Sequence, residues 1–378
     1  MYLDHNAITP MRPEAIGAVR AALDVFGNPS SVHAAGRAAR DVLDRARGQV
    51  ARALGVAPGE IVFTSGATES ATLAIRGVLG AAPAGRRRLV VTAVEHPCVL
   101  SLARALERAG TPLTVVGVDR RGVVDVEAFR SALGPDVALA CAMRANNETG
   151  VLFPVAELAA AAREAGALLF CDAVQAVGKV ELDLGSLGAD LVAITGQKLG
   201  GPRGAGALFV RPGLPLAPVA GGEQERGRRA GTENLPGIAG LGAAIEVAVD
   251  RRAGEEPRLR ALRDRLEAGL LSAVPGARVN GAGAPRLPNT LSICFPGCDA
   301  EALLMALDLD GLAASAGSAC HSGSTKPSGV LLAMGLSPEE ARSTLRLSLG
   351  WTTTPEEIEA ALRMLPPRVE RVRREIPG

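Results

Sequence analysis

The chain has 378 residues, of which 47% are hydrophobic, 21% are charged and 2% are aromatic, and its formal net charge is +1. This balance argues against nucleic acid or an anionic membrane as the main partner, and the shortage of aromatic residues argues against base-stacking platforms. We expect a cytoplasmic protein with reduced thiols, because no apolar run approaches a membrane span and the start, MYLDHNAITP, lacks the pattern of a signal peptide.

The first two thirds of the chain alternate strand and helix patterns. Residues 1–10 are predicted to be a short extended arm, and apolar residues recur at helical spacing from Gly36 to Leu54. A strand is predicted at Ile61–Phe63, followed by a helical pattern to Leu79. The alternation continues to about residue 250 and predicts an α/β fold with a mostly parallel, doubly wound sheet.

The turn after the first predicted strand joins a strand end to a helix start. It includes Gly66, Ala67 and Thr68. Backbone N–H groups are unpaired at a helix start, the helix dipole favours negative charge, and Thr68 adds a hydroxyl group. The turn therefore suits the phosphate of a cofactor, although a simple helix cap has the same pattern.

Two further predicted strands are followed by polar residues. Leu89–Thr92 leads to His96, which can stack on a cofactor ring and exchange protons near neutral pH, or can be structural. Val137–Met143 leads to the amide pair Asn146-Asn147. These amides suit a carboxylate or a ring oxygen, or form an Asx turn.

The stretch from Ala167 to Gly206 carries the pair of residues on which the functional prediction depends. Its first apolar run stops at Asp172, and its second stops shortly before Lys198. Both runs are predicted to be buried strands of a parallel sheet, and open α/β sheets bind ligands at the carboxyl ends of such strands. A lysine amine and a carboxylate beside the pyridine nitrogen are what pyridoxal phosphate (PLP) needs.

The choice of lysine follows from the small number available. The chain has three: Lys179, Lys198 and Lys326. Lys179 lies between a glycine and a polar–apolar run, and Lys326 lies in a Ser/Gly/Pro loop, whereas Lys198 follows a predicted buried strand. A surface lysine or a helix-capping aspartate is the simpler interpretation of either residue alone. The two together favour the cofactor.

The composition changes near residue 251, where a charged helical pattern begins. We predict a large PLP-binding domain of residues 11–250. A smaller α+β domain is predicted from residues 1–10 and 251–378.

Two features of the predicted domains allow alternative interpretations. Arg346 lies in an apolar run, where an unpaired charge is costly, so it holds either a ligand carboxylate or a structural ion partner. The glycine-rich loop Gly221–Asn234 is either a solvated surface or a lobe that reaches a partner subunit.

Cys320 differs from the other five cysteines because it lies in a loop of small polar residues, within a segment of about residues 313–328 that we predict to be mobile. The neighbours His321 and Lys326 favour the thiolate form. Such a thiol can collect an atom in a pocket and deliver it outside, or it can be an ordinary loop thiol. The cysteines fit no metal-ligand spacing, and no metal site is predicted.

Ten motifs along nearly the whole chain together resemble the cysteine desulfurases of the NifS/IscS type, in the PLP-dependent class V aminotransferase group. Each motif is weak alone, but their shared order is specific. The resemblance implies the type I PLP-dependent transferase fold. The motifs are YLDHNAITP, GNPSSVH, EIVFTSGATES, EHPCVL, NNETG, DAVQAVGK, GQKLGGPRGAG, ERGRRAGTEN, SAGSACHSG and RLSLGWTT.

The resemblance also implies a role for individual residues. Lys198 would carry the cofactor, Asp172 would face the pyridine nitrogen, and Cys320 would take the substrate sulfur as a persulfide, leaving alanine. The remaining implied contacts are His96 stacking on the ring, Gln175 at the ring hydroxyl, Ala67, Thr68 and Thr195 at the phosphate with Thr232 from the other subunit, and Asn147 and Arg346 at the substrate carboxylate.

Three positions depart from the family pattern. Gln197 stands where a histidine usually donates to the phosphate; an amide can make that bond, but without a positive charge. Ile8 replaces a usual threonine, and Arg144 replaces an uncharged residue or a histidine.

The activity implied by the resemblance is conversion of L-cysteine to L-alanine by a homodimer. The sulfur would pass to an acceptor or scaffold protein, as in iron–sulfur cluster assembly or tRNA thiolation. The alternatives are a selenocysteine lyase, another PLP-dependent lyase or aminotransferase, and a PLP-binding scaffold with low turnover.

Overall fold

The computed structural model describes residues 1–317 and 326–375, which form two β-sheets covered by helices. One sheet has seven strands and the other has three. The strands are β1 Ile61–Thr64, β2 Arg88–Thr92, β3 Leu113–Val116, β4 Val137–Cys141, β5 Leu168–Asp172, β6 Leu191–Thr195, β7 Gly206–Val210, β8 Arg278–Val279, β9 Thr290–Cys294 and β10 Thr344–Ser348.

The helices range from one turn to ten turns in length. Within the described part of the chain, none is both long and apolar enough to cross a lipid bilayer. The helices are α1 Pro13–Leu23, α2 Ala34–Leu54, α3 Ala67–Ala81, α4 Pro97–Arg108, α5 Val126–Ala132, α6 Val155–Glu164, α7 Leu184–Leu187, α8 Leu235–Ala273, α9 Ala300–Leu309, α10 Gly329–Ala333, α11 Pro338–Arg342 and α12 Pro355–Glu375.

The seven-stranded sheet has the order β1-β7-β6-β5-β4-β2-β3. Only β7 runs antiparallel to its neighbours β1 and β6, and the other pairings are parallel. The connection from β6 to β7, residues 196–205, is too short for the helical crossover that a parallel strand requires, so the chain turns back. The predicted α/β fold with a mostly parallel, doubly wound sheet is confirmed.

Both faces of this sheet are covered by helices. In β2, Leu89 and Val91 belong to an apolar cluster with α3 and α4, whereas Val90 belongs to the cluster on the opposite face with α2, α6 and α8. Covering on both faces explains why these strands appear in the sequence as continuous apolar runs and not as alternating patterns.

The second sheet is antiparallel, in the order β10-β9-β8. Its core includes apolar residues of α9 and α12, the carboxyl-terminal half of α8 and Leu3 of the amino-terminal arm. The arm joins this sheet through bridges from Tyr2 to Ala313 and from Asp4 to Ser348. The sequence places residues 1–10 with the smaller domain, and these contacts are consistent with that prediction.

Helix α8 passes from one core to the other. Its first part is buried on nearly all sides, with Ile238, Leu241 and Ile245 in the core of the large sheet, whereas Leu266 and Leu270 pack on the small sheet. The change of composition near residue 251 therefore marks the point where a continuous helix changes neighbours. It does not mark the start of a new element.

Candidate active site

Asp172 and Lys198 lie at the same edge of the large sheet. Asp172 is the last residue of β5, and the neighbouring strand β6 ends at Thr195, followed by a 3-10 turn over Gly196–Lys198. The two strands are parallel, with Asp172 opposite Ala193. The structure thus brings together the two residues from which the sequence predicts a cofactor site.

The Asp172 carboxyl group lies in a buried, charged environment. Its Oδ1 accepts a hydrogen bond from the backbone N–H of Val174 at 3.0 Å. Burial raises the pKa of Asp172, and the positive charges of His96 and Lys198 act in the opposite direction. A cationic group bound beside this carboxyl would further favour its ionised form.

The amino-terminal arm lies against the turn that carries Lys198. The Lys198 Nζ donates to the backbone carbonyl of Ala7, and the Thr9 N–H donates to the Gln197 carbonyl at 3.1 Å. The lysine is therefore partly covered by a segment nearly 200 positions away in the sequence, which local sequence patterns do not predict.

His96 caps the amino terminus of α4. Its Nδ1 accepts a hydrogen bond from the backbone N–H of Cys98 at 3.2 Å and lies 3.1 Å from Cys98 Sγ. Because Nδ1 accepts the backbone N–H, a neutral His96 ring carries its proton on Nε2. That nitrogen is the one able to donate a proton to a substrate.

Glu95, the residue before His96, is a buried acid that the sequence reasoning missed. Its Oε1 accepts hydrogen bonds from Thr92 Oγ1 at 2.6 Å and from the Met143 N–H at 2.7 Å. Burial, supported by the negative charge of Asp172, raises the pKa of Glu95 to about 8. The two hydrogen bonds to Oε1 act in the opposite direction. Its position shortly after a strand end, next to His96, is the sequence feature that could have identified Glu95.

The turn between β1 and α3 has the features of an anion site. Gly66 has φ +150°, in the region that favours glycine, and provides no side-chain cap for the α3 amides. A Cβ on Gly66 would lie 3.5 Å from Thr195 Oγ1, so that hydroxyl faces the turn. The backbone N–H groups of Ala67 and Thr68 are suitable donors for a phosphate. The Thr195 hydroxyl lies beside this turn and donates its proton to Gln197.

Gln197 is oriented by Thr195. The Thr195 hydroxyl donates to Gln197 Oε1 at 2.8 Å. Since the amide oxygen is used in this way, the amide nitrogen is the group that Gln197 can offer to an anion. Gln197 therefore offers a neutral donor at the position where the family pattern has a histidine.

The loop Gly221–Asn234 is anchored by two ion pairs. Arg47 makes a bidentate, buried pair with Glu225 at 2.6 and 2.8 Å, and Arg229 pairs with Glu69 of α3 at 2.7 Å. Thr232 is exposed on this loop. The loop is thus held firmly at its base beside the β1–α3 turn, with Thr232 facing outward.

Arg346 lies in the middle of β10 and is 1% exposed. Its Nη2 donates to Asp4 Oδ1 at 2.7 Å and its Nη1 to the Asn147 carbonyl at 3.1 Å. Its Nε is buried and has no hydrogen-bond partner among the described residues. The structural ion pair predicted as one alternative is present, and a donor remains for a carboxylate ligand.

The two consecutive asparagines have different surroundings. Asn146 forms the predicted Asx turn, because its Oδ1 accepts the N–H groups of Glu148 and Thr149, each at 2.9 Å. Asn147 contacts Arg346 through its backbone carbonyl. Asn147 and Arg346 are therefore adjacent, as the carboxylate prediction requires.

Gln175 lies in the turn after β5 and is buried. Its Nε2 donates to the backbone carbonyl of Asn6 at 3.0 Å, and its Oε1 accepts from Lys179. Lys179, set aside in the sequence reasoning, thus lies beside the site.

Cys320 falls outside the described residues, as does His321. The residues on either side border a cavity of about 820 Å³, whose lining includes Glu148, Gly317 and Ser328. The Ser328 hydroxyl donates to Glu148 Oε2 at 2.5 Å. The predicted cysteine segment therefore begins and ends beside a large cavity that also reaches Glu95.

Comparisons with known proteins agree on one family. The family model for class-V aminotransferases matches residues 1–361. A cysteine desulfurase of Cereibacter sphaeroides is 48% identical over 377 residues, covering 99% of this chain and 96% of the relative. A solved NifS-like protein has TM-score 0.91 and 33% identity, covering 98% and 99% of the two chains. SspA, solved in complex with cysteine, has TM-score 0.80 and 31% identity, covering 92% and 98%.

Proposed function

The chain belongs to the class-V aminotransferase family, and from this membership and the geometry of its site we propose that it is a PLP-dependent cysteine desulfurase that converts L-cysteine to L-alanine. The observation that carries the proposal is the placement of the Lys198 amine and the Asp172 carboxylate at the ends of adjacent parallel strands. Its relatives named cysteine desulfurases span nearly the full chain.

The residues of the site suit PLP. When bound, this cofactor withdraws electrons from the substrate α-carbon through its protonated pyridine ring. Asp172 would keep the pyridine nitrogen protonated, and Lys198 would hold the cofactor aldehyde. The uncapped α3 amides at Ala67 and Thr68 would hold the phosphate together with the amide nitrogen of Gln197, which Thr195 orients by donating to Gln197 Oε1.

His96 would lie on the ring and move a proton near neutral pH. The hydrogen bond from the Cys98 N–H to Nδ1 leaves Nε2 as its protonated nitrogen. Gln175 would donate the second N–H of its amide nitrogen to the ring hydroxyl, since its first N–H is donated to the Asn6 carbonyl and its oxygen accepts from Lys179. Each of these side chains is thus held in a defined protonation state or orientation before the substrate enters.

The substrate carboxylate would be bound by Arg346 and Asn147. Arg346 keeps an unpaired buried Nε, and its guanidinium is already oriented by Asp4 and the Asn147 carbonyl. This arrangement selects an amino acid with its carboxylate at a fixed distance from the lysine. The match to SspA, solved with cysteine, supports L-cysteine as that amino acid.

Cys320 would take the substrate sulfur and hold it as a persulfide. The described residues that flank its segment, Gly317 and Lys326, line the cavity that also reaches Glu95 and Glu148. A sulfur-acceptor or scaffold protein would collect the sulfur from Cys320. A cytoplasmic location belongs to this proposal because the chemistry requires a reduced thiol at Cys320.

A homodimer would complete the site. Thr232 is exposed on a loop that Arg47 and Arg229 anchor beside the β1–α3 turn, so it is placed to reach the phosphate site of a second copy. Three exposed apolar residues at and after the end of α1 support the same arrangement: Leu23, Phe26 and Val32.

The test of this function is alanine release from L-cysteine by the PLP-loaded protein. Cys320→Ser should lower this rate roughly a hundredfold or more, because the nucleophile is lost. Cys298→Ser is the matched control: burial raises the pKa of the Cys298 thiol to about 11, so it cannot act as a nucleophile at neutral pH.

Full alanine release from cysteine by Cys320→Ser would contradict the proposal. If that variant released alanine from selenocysteine but not from cysteine, a selenocysteine lyase would replace the desulfurase. Binding of sulfur-pathway proteins by a protein with no turnover would instead indicate a scaffold.

A further inference from the structure

Lys179 is a partly buried lysine beside the site. The proposed reaction gives its amine no direct role. It follows β5 by one short turn, and its Nζ donates to Gln175 Oε1 and to Asn6 Oδ1, the latter at 3.2 Å. Gln175 belongs to the large-sheet side of the site and Asn6 to the amino-terminal arm. Lys179 therefore connects two parts of the chain that are far apart in sequence.

These bonds fix which way the Gln175 amide points. A lysine amine donates to both partners here, and a carbonyl only accepts. If the amide were reversed, its NH₂ group would face Lys179 and its oxygen would face the Asn6 carbonyl, now 3.0 Å from Nε2. Both contacts would be repulsive. The Gln175 NH₂ group is consequently held away from Lys179.

The Asn6 side chain is fixed by the same logic. Its Oδ1 accepts from Lys179 and from Asn289 Nδ2 at 3.1 Å, while its Nδ2 donates to Thr290 Oγ1 at 2.8 Å and to the Asn147 carbonyl at 3.2 Å. Every polar atom of this amide has a partner. Lys179 is therefore a cationic donor that holds the Asn6 side chain of the arm, while Arg346 and Lys198 donate to the arm at Asp4 and Ala7.

The charged groups around Lys179 are mostly basic. Burial, together with the positive charges of Lys198 and Arg346, lowers the pKa of Lys179 to about 7. Lys179 in turn lowers the pKa of His5, after burial, which is the larger cause. A neutral amine still has two N–H groups, enough for both hydrogen bonds. The network therefore persists on either side of neutral pH.

We propose that Lys179 is a positioning residue of the cofactor site, which keeps the Gln175 NH₂ group turned toward the bound cofactor and fixes the arm over Lys198. The inference rests on the proposed function, because it takes PLP as the ligand. The Lys179 amine contacts the side chains of Gln175 and Asn6. It acts through Gln175 and Asn6.

A double-mutant cycle on PLP affinity tests this role. Cofactor-free protein is titrated with PLP as wild type, Lys179→Met, Gln175→Ala and the double variant. Each single substitution should raise the PLP Kd roughly tenfold, equivalent to about 1.4 kcal/mol. The loss of affinity in the double variant should be smaller than the sum of the two single losses, because part of the effect of Lys179 passes through Gln175.

Arg87→Met is the control, since it removes one exposed positive charge before β2. Its PLP Kd should equal that of the wild type. An unchanged Kd in Lys179→Met, or losses that simply add in the double variant, would overturn the positioning role.

A second measurement uses protein without cofactor. The rate of reductive methylation of Lys198 is followed by mass spectrometry as a function of pH in wild type and Lys179→Met. Repulsion between the two ammonium groups is mutual, so removing Lys179 should raise the pKa of Lys198 and slow its methylation several-fold near pH 7. An identical pH profile would show that the two amines do not interact.

The outcomes separate the two proposals. A wild-type protein that takes up no PLP would contradict the proposed function, while the methylation profiles would still decide whether Lys179 and Lys198 interact. A Lys179→Met variant with wild-type PLP affinity would overturn only the role of Lys179.

Discussion

At the scale of single residues, two buried acids, Asp172 and Glu95, lie at or just after the ends of strands of the large sheet. Asp172 is the carboxylate proposed to face the cofactor, and Glu95 lies close enough for its pKa to be raised by the Asp172 charge. A second anion here would compete for the pyridine nitrogen. Because burial raises the pKa of Glu95 to about 8, its neutral form is favoured near neutral pH, and it would compete less with Asp172 for the pyridine nitrogen.

The raised pKa of Glu95 predicts a specific dependence of stability on pH. Its ordinary pKa of 4.5 is raised to about 8 in the folded protein. Between these values the folded state binds more protons than the unfolded state, so the contribution of Glu95 to the unfolding free energy falls as pH rises. Glu95→Gln removes this pH-dependent loss. Its unfolding free energy should therefore rise relative to that of the wild type between pH 5 and 8, by on the order of a few kcal/mol.

Thermal or urea unfolding at several pH values measures this difference. Glu181→Gln, a change at an exposed acid, serves as the control and should leave the pH dependence as in wild type. A constant difference between Glu95→Gln and wild type across the range would show that Glu95 is ionised in the folded protein.

The sequence predicted the residues at strand ends but missed those that depend on distant packing. Asp172, His96 and Lys198 each follow an apolar run, and the run itself indicates the sheet edge. Glu95 and Lys179 look like ordinary polar residues. Their importance comes from burial by the arm and by neighbouring strands, which local patterns do not show.

At the scale of elements, the connection between α1 and α2 exposes an apolar surface. Leu23, Phe26 and Val32 are 65%, 90% and 89% exposed, respectively. Three large apolar side chains close together in sequence and open to water are typical of a protein–protein contact. We assign this surface to the second copy of the proposed homodimer.

Phe26→Asp should weaken dimerisation by about 2 kcal/mol or more, because it places a charge in an apolar contact. Sedimentation at several protein concentrations measures the change, and PLP affinity should fall with it, since Thr232 would come from the second copy. Leu309→Asp is the matched control, an 88% exposed apolar residue on α9. A Phe26→Asp protein as dimeric as wild type would contradict this assignment.

Elements were predictable where one pattern dominated the sequence. β5 and β6 are continuous apolar runs that end at polar residues, and α2 has a regular apolar stripe. The direction of β7 depends on the short connection after Lys198. The continuity of α8 was hidden because the helix changes neighbours along its length and so has no single apolar face.

At the scale of the whole molecule, the amino-terminal arm connects both sheets to the site. It pairs with the strand that carries Arg346, contacts Lys198 through the Ala7 carbonyl, and presents Asn6 to Lys179. The arm thus contacts all three residues that are proposed to bind the substrate carboxylate, carry the cofactor and position it: Arg346, Lys198 and Lys179. The predicted division into residues 11–250 and the remainder stays a prediction, because α8 continues across its boundary.

The central claim is that Lys198, and not the neighbouring Lys179, carries the cofactor. Borohydride reduction of the PLP-loaded protein, followed by proteolysis and mass spectrometry, locates the attached pyridoxyl group. We expect this group on Lys198 and not on Lys179 or Lys326. A pyridoxyl group on Lys179, or no stable attachment in protein supplied with PLP, would contradict it.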